Sequence, residues 1–135
     1  MDDDLPDEMK VLFVDDDKLL LTQTKIFLEK SDYKFDVDTA RDVGEALELI
    51  KEIEYDAVIS DYKMQKRDGL DLLQAVRKKN AEMPFIMFTG KGNETVAQEA
   101  LNLGANRYIR KQGDARSQYD KLAEALVEEI SMYRS

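Results

Sequence analysis

The chain has no cysteine and no histidine among its 135 residues. Without cysteine there is no disulfide, no iron–sulfur cluster and no thiol nucleophile. Without histidine the commonest general base and the usual zinc ligand are missing, and so is any phosphohistidine donor. No apolar run approaches the length that spans a bilayer, so no membrane partner is expected. The start, Met1-Asp2-Asp3-Asp4, is acidic where a secretory leader is basic and then apolar. A cytoplasmic protein is therefore expected. No Pro/Gly/Ser-rich linker, internal repeat or low-complexity segment divides the sequence. One compact domain over residues 10–135 is expected, behind an acidic tail over residues 1–9. Excess basic charge is lacking too: the net charge of −9 argues against a nucleic-acid partner, because neutralising phosphates needs a basic face.

What is present is an alternation of strand-length apolar runs with helical periods, the pattern of a parallel α/β sheet. The strand candidates are Lys10–Val14, Phe35–Thr39, Ala57–Ser60, Phe85–Phe88 and Asn106–Arg110. The second alternates Phe35, Val37 and Thr39 with Asp36 and Asp38, which predicts an edge strand. The first, third and fourth are continuous apolar runs, as buried central strands are. Helices are expected over Lys18–Lys30, around Val43–Ile50, over Leu70–Lys79, from Asn93 to Gly104, and from about Ser117 onward. Asp42 and Glu45 are spaced as a capping box for the second. The fourth should bury Val96, Ala97, Ala100 and Leu101; the last should carry an apolar stripe of Tyr119, Leu122, Leu126, Ile130 and Tyr133. The result is a doubly wound (βα)5 fold with the flavodoxin-like order 2-1-3-4-5.

In such a sheet ligands bind beyond the carboxyl ends of the strands. The residues found there are Asp15 and Asp16 after strand one, Asp61 after strand three, Thr89 after strand four and Lys111 after strand five. Strands one and three are expected neighbours, which gathers Asp15, Asp16 and Asp61. Oxygen-only ligands point to Mg2+ or a similar hard ion. Asp16, Asp61 and the Lys63 carbonyl would bind it directly and Asp15 through water. Asp61 is the candidate nucleophile, able to take a phosphoryl group as an acyl phosphate. Lys111 would offset charge on the transferring group, and Thr89 would donate its hydroxyl to it. Each residue also has a plainer reading: helix cap, solvated lysine, strand-end hydroxyl.

Five segments in order carry a resemblance: Val11-Leu12-Phe13-Val14-Asp15-Asp16-Asp17, Val58-Ile59-Ser60-Asp61-Tyr62-Lys63-Met64, Asp68-Gly69, Met87-Phe88-Thr89-Gly90, and Gly104-Ala105 with Tyr108-Ile109-Arg110-Lys111. Together they resemble the receiver domain of two-component response regulators, of the chemotaxis-regulator type, over roughly Lys10 to Tyr133. The resemblance implies that Asp61 accepts phosphate from a histidine kinase or phosphotransfer protein. It implies that Asp15 and Asp16 hold Mg2+ and that Thr89 and Lys111 contact the phosphoryl group. Tyr108 falls at the aromatic switch position, which would reshape the face of helix four, strand five and helix five. That face would meet a downstream protein target, a fused domain or a second copy of the chain. Self-catalysed phosphotransfer and hydrolysis, rather than a dedicated enzyme activity, are implied.

The sequence departs from the family in three places. Lys111 is followed by Gln112 where proline is common, and a cis bond without proline costs about 2.5–4 kcal/mol, so a trans bond is expected. Met64 is followed by Gln65-Lys66-Arg67 instead of a proline turn, which places a basic stretch beside an acidic pocket. Lys63 and Lys91, two residues after Asp61 and Thr89, overhang the site and are expected to modulate the lifetime of the acyl phosphate. A pseudo-receiver that binds partners without phosphorylation is the alternative, although such modules usually lose the acceptor, an acid or the lysine. An aspartyl phosphatase would want a carboxylate where Lys63 stands. Gly90-Lys91-Gly92 follows the wrong strand for a nucleotide loop, and the acidic strand ends disfavour a flavin phosphate.

Overall fold

A computed structural model describes residues 7–135. Five strands alternate with five helices: β1 (Met9–Val14), α1 (Lys18–Lys30), β2 (Phe35–Ala40), α2 (Val43–Glu52), β3 (Ala57–Ser60), α3 (Gly69–Lys79), β4 (Phe85–Thr89), α4 (Glu94–Asn102), β5 (Arg107–Arg110) and α5 (Ala115–Arg134). All pairings are parallel and the order is β2-β1-β3-β4-β5, as the alternation of β2 and the apolar runs of β1, β3 and β4 require. Most of the expected acidic tail lies outside the described residues.

Alternation along each strand divides the core in two. Val11, Phe13, Ile59, Ile86 and Phe88 point to the side covered by α1 and α5, where they meet Leu21, Leu28, Leu122, Leu126 and Ile130. Leu12, Val14, Val58, Phe85 and Met87 point to the other side, where Val43, Ala46, Leu73, Val76 and Ala100 close over them. Full burial of each large side chain contributes about 1.5–3 kcal/mol, which explains why the central strands tolerate no polar residue before their ends. After Lys10 at the start of β1, the next polar group on β1 and β3 appears only where the sheet stops, apart from Ser60. Its hydroxyl is satisfied by donating to the Asp61 carbonyl at 2.8 Å.

Side-chain caps start the helices. Asp17, Asp42, Asp68, Asn93 and Asp114 each accept a backbone N–H from the first turn. Four acids at the functional end are thereby committed to helix ends.

Three expectations need correction. The Glu45 carboxylate accepts the Arg41 N–H rather than that of Asp42, so Asp42 caps α2 without a reciprocal partner. The complete capping box belongs to α3, between Asp68 and Asp71. On α4 only Ala100 is buried; Val96 and Ala97 are half-buried and Leu101 is 49% exposed, because α4 sits over the edge strand β5. Tyr133 on α5 is 38% exposed, having run past the sheet that covers Tyr119, Leu122, Leu126 and Ile130.

Candidate functional site

β1 and β3 end side by side, and the ladders that join β1 to β2 and to β3 each continue one step beyond the strands. The Asp61 N–H donates to the Val14 carbonyl at 2.9 Å and the Asp15 N–H to the Ala40 carbonyl at 3.1 Å. This fixes both residues at the switch point, where strand order reverses. A close approach fixes Asp61 from the other side. A Cβ on Gly69 would lie 2.3 Å from the Asp61 carbonyl oxygen and 2.9 Å from the Met87 sulfur, so only glycine lets α3 start there. The Gly69 N–H donates to the Tyr62 carbonyl at 2.8 Å and holds the intervening loop.

Asp15 and Asp61 are both buried, whereas Asp16 is exposed at the mouth. Ligand oxygens of the three lie within 4.8 Å of one another. Asp15 is the most committed: Oδ1 accepts the Asp17 N–H at 2.9 Å and Oδ2 accepts the Lys111 ammonium at 2.9 Å. Burial nonetheless pushes the Asp15 carboxyl above its ordinary range, outweighing the Lys111 bond. Asp61 Oδ1 accepts the Tyr62 N–H at 2.8 Å and lies 3.9 Å from Lys111 Nζ. Its Oδ2 has no hydrogen-bond partner among the described residues and is not sealed from solvent.

Lys111 therefore spans both buried carboxylates, with its ammonium 5.3 Å from the centre of the Phe88 ring. That ring supplies an electron-rich face under the cation. Its part is not legible in the sequence, where Phe88 looks like one more core residue. Three carboxylates against one ammonium leave a net double negative charge. That charge and the all-oxygen donor set fit a hard divalent cation.

Thr89 is the last residue of β4 and is buried. Its Oγ1 accepts the Lys91 N–H at 3.1 Å, and the Lys111 N–H donates to its carbonyl at 3.0 Å. The hydroxyl proton remains available. Tyr108 lies one strand away with its ring packed inward, and its hydroxyl is buried with no partner among the described residues. Burial pushes that phenol above its ordinary range. The ring fits only because position 92 is glycine: a Cβ there would fall 1.7 Å from the Tyr108 oxygen and 3.5 Å from Thr89 Cγ2. The sequence reading missed Gly69 and Gly92; the Asp-Gly and Gly-Lys-Gly spacings were the available signals.

Lys63, Lys66, Arg67 and Lys91 are exposed around the pocket, and none forms an ion pair among the described residues. Met64 is buried beneath them and anchors the loop. Lys66 adopts φ 69°, the left-handed turn that the missing proline leaves to a lysine. No cis peptide occurs among the described residues, so Lys111 and Gln112 are joined in trans as expected.

Residues 11–123 match the family model of the response regulator receiver domain. Among solved structures, a response regulator receiver domain protein from Clostridium thermocellum is 31% identical, with 93% of this chain and 97% of that one aligned at TM-score 0.84. A CheY-like receiver domain protein from Methanospirillum hungatei is 32% identical over 90% of this chain and 95% of that one, at TM-score 0.76. NtrX from Brucella abortus is 29% identical at TM-score 0.82; the match takes in 94% of this chain but 29% of that longer one.

Proposed function

This chain belongs to the response regulator receiver domains of two-component systems, and from that premise we propose that it is a Mg2+-dependent phosphoacceptor switch with Asp61 as the acceptor. The observation that carries the reading is the paired burial of Asp15 and Asp61, bridged by one lysine that reaches both. A fold that places like charges together inside its surface needs a cation, and a phosphoryl anion needs the ammonium.

Asp61 Oδ2 is the attacking oxygen, because Oδ1 already accepts the Tyr62 N–H. It bonds to phosphorus as the P–N bond of a donor phosphohistidine breaks, and the imidazole nitrogen leaves with its electron pair. Asp16, Asp61 and the Lys63 carbonyl would hold Mg2+ directly, with Asp15 acting through water. When bound, Mg2+ offsets charge on the phosphoryl oxygens. Lys111 turns part of its contact from Asp15 toward a phosphoryl oxygen. Thr89 donates its free hydroxyl proton to another while still accepting the Lys91 N–H.

The Thr89 shift is read out at Tyr108, and thus at the face of α4, β5 and α5. The donor is a histidine kinase or phosphotransfer protein, and the output face engages a downstream protein, a fused domain or a second copy. The receiver occupies residues 10–135 and works in the cytoplasm. Lys63 and Lys91 set how water reaches the acyl phosphate; unchanged decay rates in Lys63→Ala and Lys91→Ala would refute that role.

Intact-mass spectrometry after incubation with acetyl phosphate tests the central reading. One phosphoryl group should be gained only with Mg2+, and not by Asp61→Asn. No adduct, together with no response to beryllofluoride, would instead support a pseudo-receiver that binds partners constitutively.

A further inference from the structure

β2 forms one edge of the sheet. Lys34 and Ala40 turn their carbonyls inward, accepting the Met9 and Asp15 N–H groups at 2.8 and 3.1 Å. Backbone groups alternate along a strand, so Phe35, Val37 and Thr39 turn theirs outward, where a further strand would pair. At the middle of these, both positions are already taken. Glu29 Oε2 accepts the Val37 N–H at 2.9 Å, and the Lys25 ammonium donates to the Val37 carbonyl. The two side chains stand one turn apart on α1, with Nζ and Oε2 3.5 Å from each other. One acceptor and one donor at that spacing are what a neighbouring strand would offer a single residue. Packing of Val37, Phe35 and Leu28 in one core cluster holds strand and helix in register.

We propose that Lys25 and Glu29 form an edge plug that closes β2 to strand addition, and that the strand it excludes is β2 of a second copy of this chain. Antiparallel pairing about a two-fold axis puts Val37 opposite Val37 of the second copy, where the pair exchanges both backbone hydrogen bonds. Those are the two groups the plug occupies. The usual charge defence of an edge is weak here, which is why a plug is needed. Asp36 would face Asp38 of the second copy, but Lys10 lies 2.8 Å from Asp36 and 3.3 Å from Asp38 and mutes their repulsion. The inference is independent of the phosphorylation reading, since no plug residue touches Asp61 or its partners.

Amide exchange measured by NMR on the full chain, with sedimentation velocity, tests it. In the wild type, the Val37 amide should exchange about tenfold or more slowly than those of Phe35 and Thr39, as a hydrogen bond to a carboxylate implies. Glu29→Ala should remove that difference, and Glu29→Gln, which keeps the acceptor oxygen, should restore most of it. Lys25→Ala combined with Glu29→Ala should show concentration-dependent dimerisation while retaining its circular dichroism. Equal exchange of the three wild-type amides would overturn the plug without recourse to any variant. A folded double variant that stays monomeric with Val37 deprotected would overturn the proposed occupant.

Discussion

Neutralising the acceptor should make the metal-free protein more stable. Ligand oxygens of Asp15, Asp16 and Asp61 lie within 4.8 Å of one another. At that separation two unit charges repel by about 1–3 kcal/mol for an effective dielectric between bulk water and a protein surface. Asp61 has two such neighbours and one compensating cation, Lys111 at 3.9 Å. Asp61→Asn removes two repulsions and one attraction of similar size, a net gain of about 1–3 kcal/mol, with salt trimming the share from exposed Asp16. The change conserves volume, and the amide oxygen can still accept the Tyr62 N–H, so no packing or hydrogen-bond loss competes. Urea unfolding at neutral pH with EDTA should therefore show a higher midpoint with an unchanged slope. Adding Mg2+ should then stabilise the wild type more than the variant and narrow the gap, because binding acts by mass action on the folded state. A variant no more stable than wild type in EDTA would refute the reasoning. The carboxylates would then not be ionised together, and the case for a cation-demanding site would fail.

Three further outcomes follow from the same geometry. The raised Asp15 carboxyl contributes stability that is fully present below its ordinary pKa and lost as pH rises through the raised one. In EDTA, the stability of wild type relative to Asp15→Asn should thus decline from about pH 4 upward; a difference that grows with pH would contradict it. Gly92→Ala should expel the Tyr108 ring, whose oxygen would otherwise sit 1.7 Å from the new methyl, and return the phenol to its ordinary titration range. An NMR titration of labelled tyrosine, assigned with Tyr108→Phe, checks this, and an unchanged raised value would count against it. Thr24 is fully buried on α1 and its hydroxyl has no partner among the described residues, so Thr24→Val should stabilise by about 1–2 kcal/mol. A lower urea midpoint would sink that prediction.

Much of this was legible in the sequence because at these strand ends an apolar run gives way abruptly to a polar side chain. A run such as Val11–Val14 predicts its own termination at Asp15 with little ambiguity, since a buried carboxylate without compensation is too costly. The same contrast marks Asp61 after Ala57–Ser60. Legibility fails where a residue matters for what it lacks or what lies beneath it. Gly69 and Gly92 act by having no Cβ next to Asp61 and Tyr108, and no pattern in one sequence says which neighbour a glycine admits. Phe88 follows the strand period perfectly and hides its second role under Lys111. Leu101 matched the helical period of α4 but lies 49% exposed, because periodicity gives a face and not how much sheet covers it.

The two ends of the sheet are built on opposite principles. At the end away from the site, groups are satisfied several times over. Arg77 donates to the Gly104 carbonyl at 2.8 and 3.0 Å, to the carbonyls of Asn80 and Met83 at 3.1 and 2.8 Å, and to Asn106 Oδ1 at 3.0 Å. Asn106 in turn accepts the Phe85 N–H and donates to Glu129 on α5. Arg134 ties the end of α5 to Asp56 and to the Glu8 carbonyl. α3, α5 and the starts of β1, β4 and β5 are thus fixed at that end. At the site end, Asp61 Oδ2, the Thr89 proton and the Tyr108 hydroxyl have no partner among the described residues. Unsatisfied groups beside a clamped base have few ways to find partners except by rotating about it, and each has a cost while it waits. A phosphoryl group on Asp61 would supply acceptors where the free donors stand. The displacement it causes would be confined to Thr89 at the end of β4 and to the ring of Tyr108, because Arg77 and Asn106 hold the starts of β4 and β5. Confinement of that kind converts a local bond into a defined change of one face rather than a general loosening of the domain.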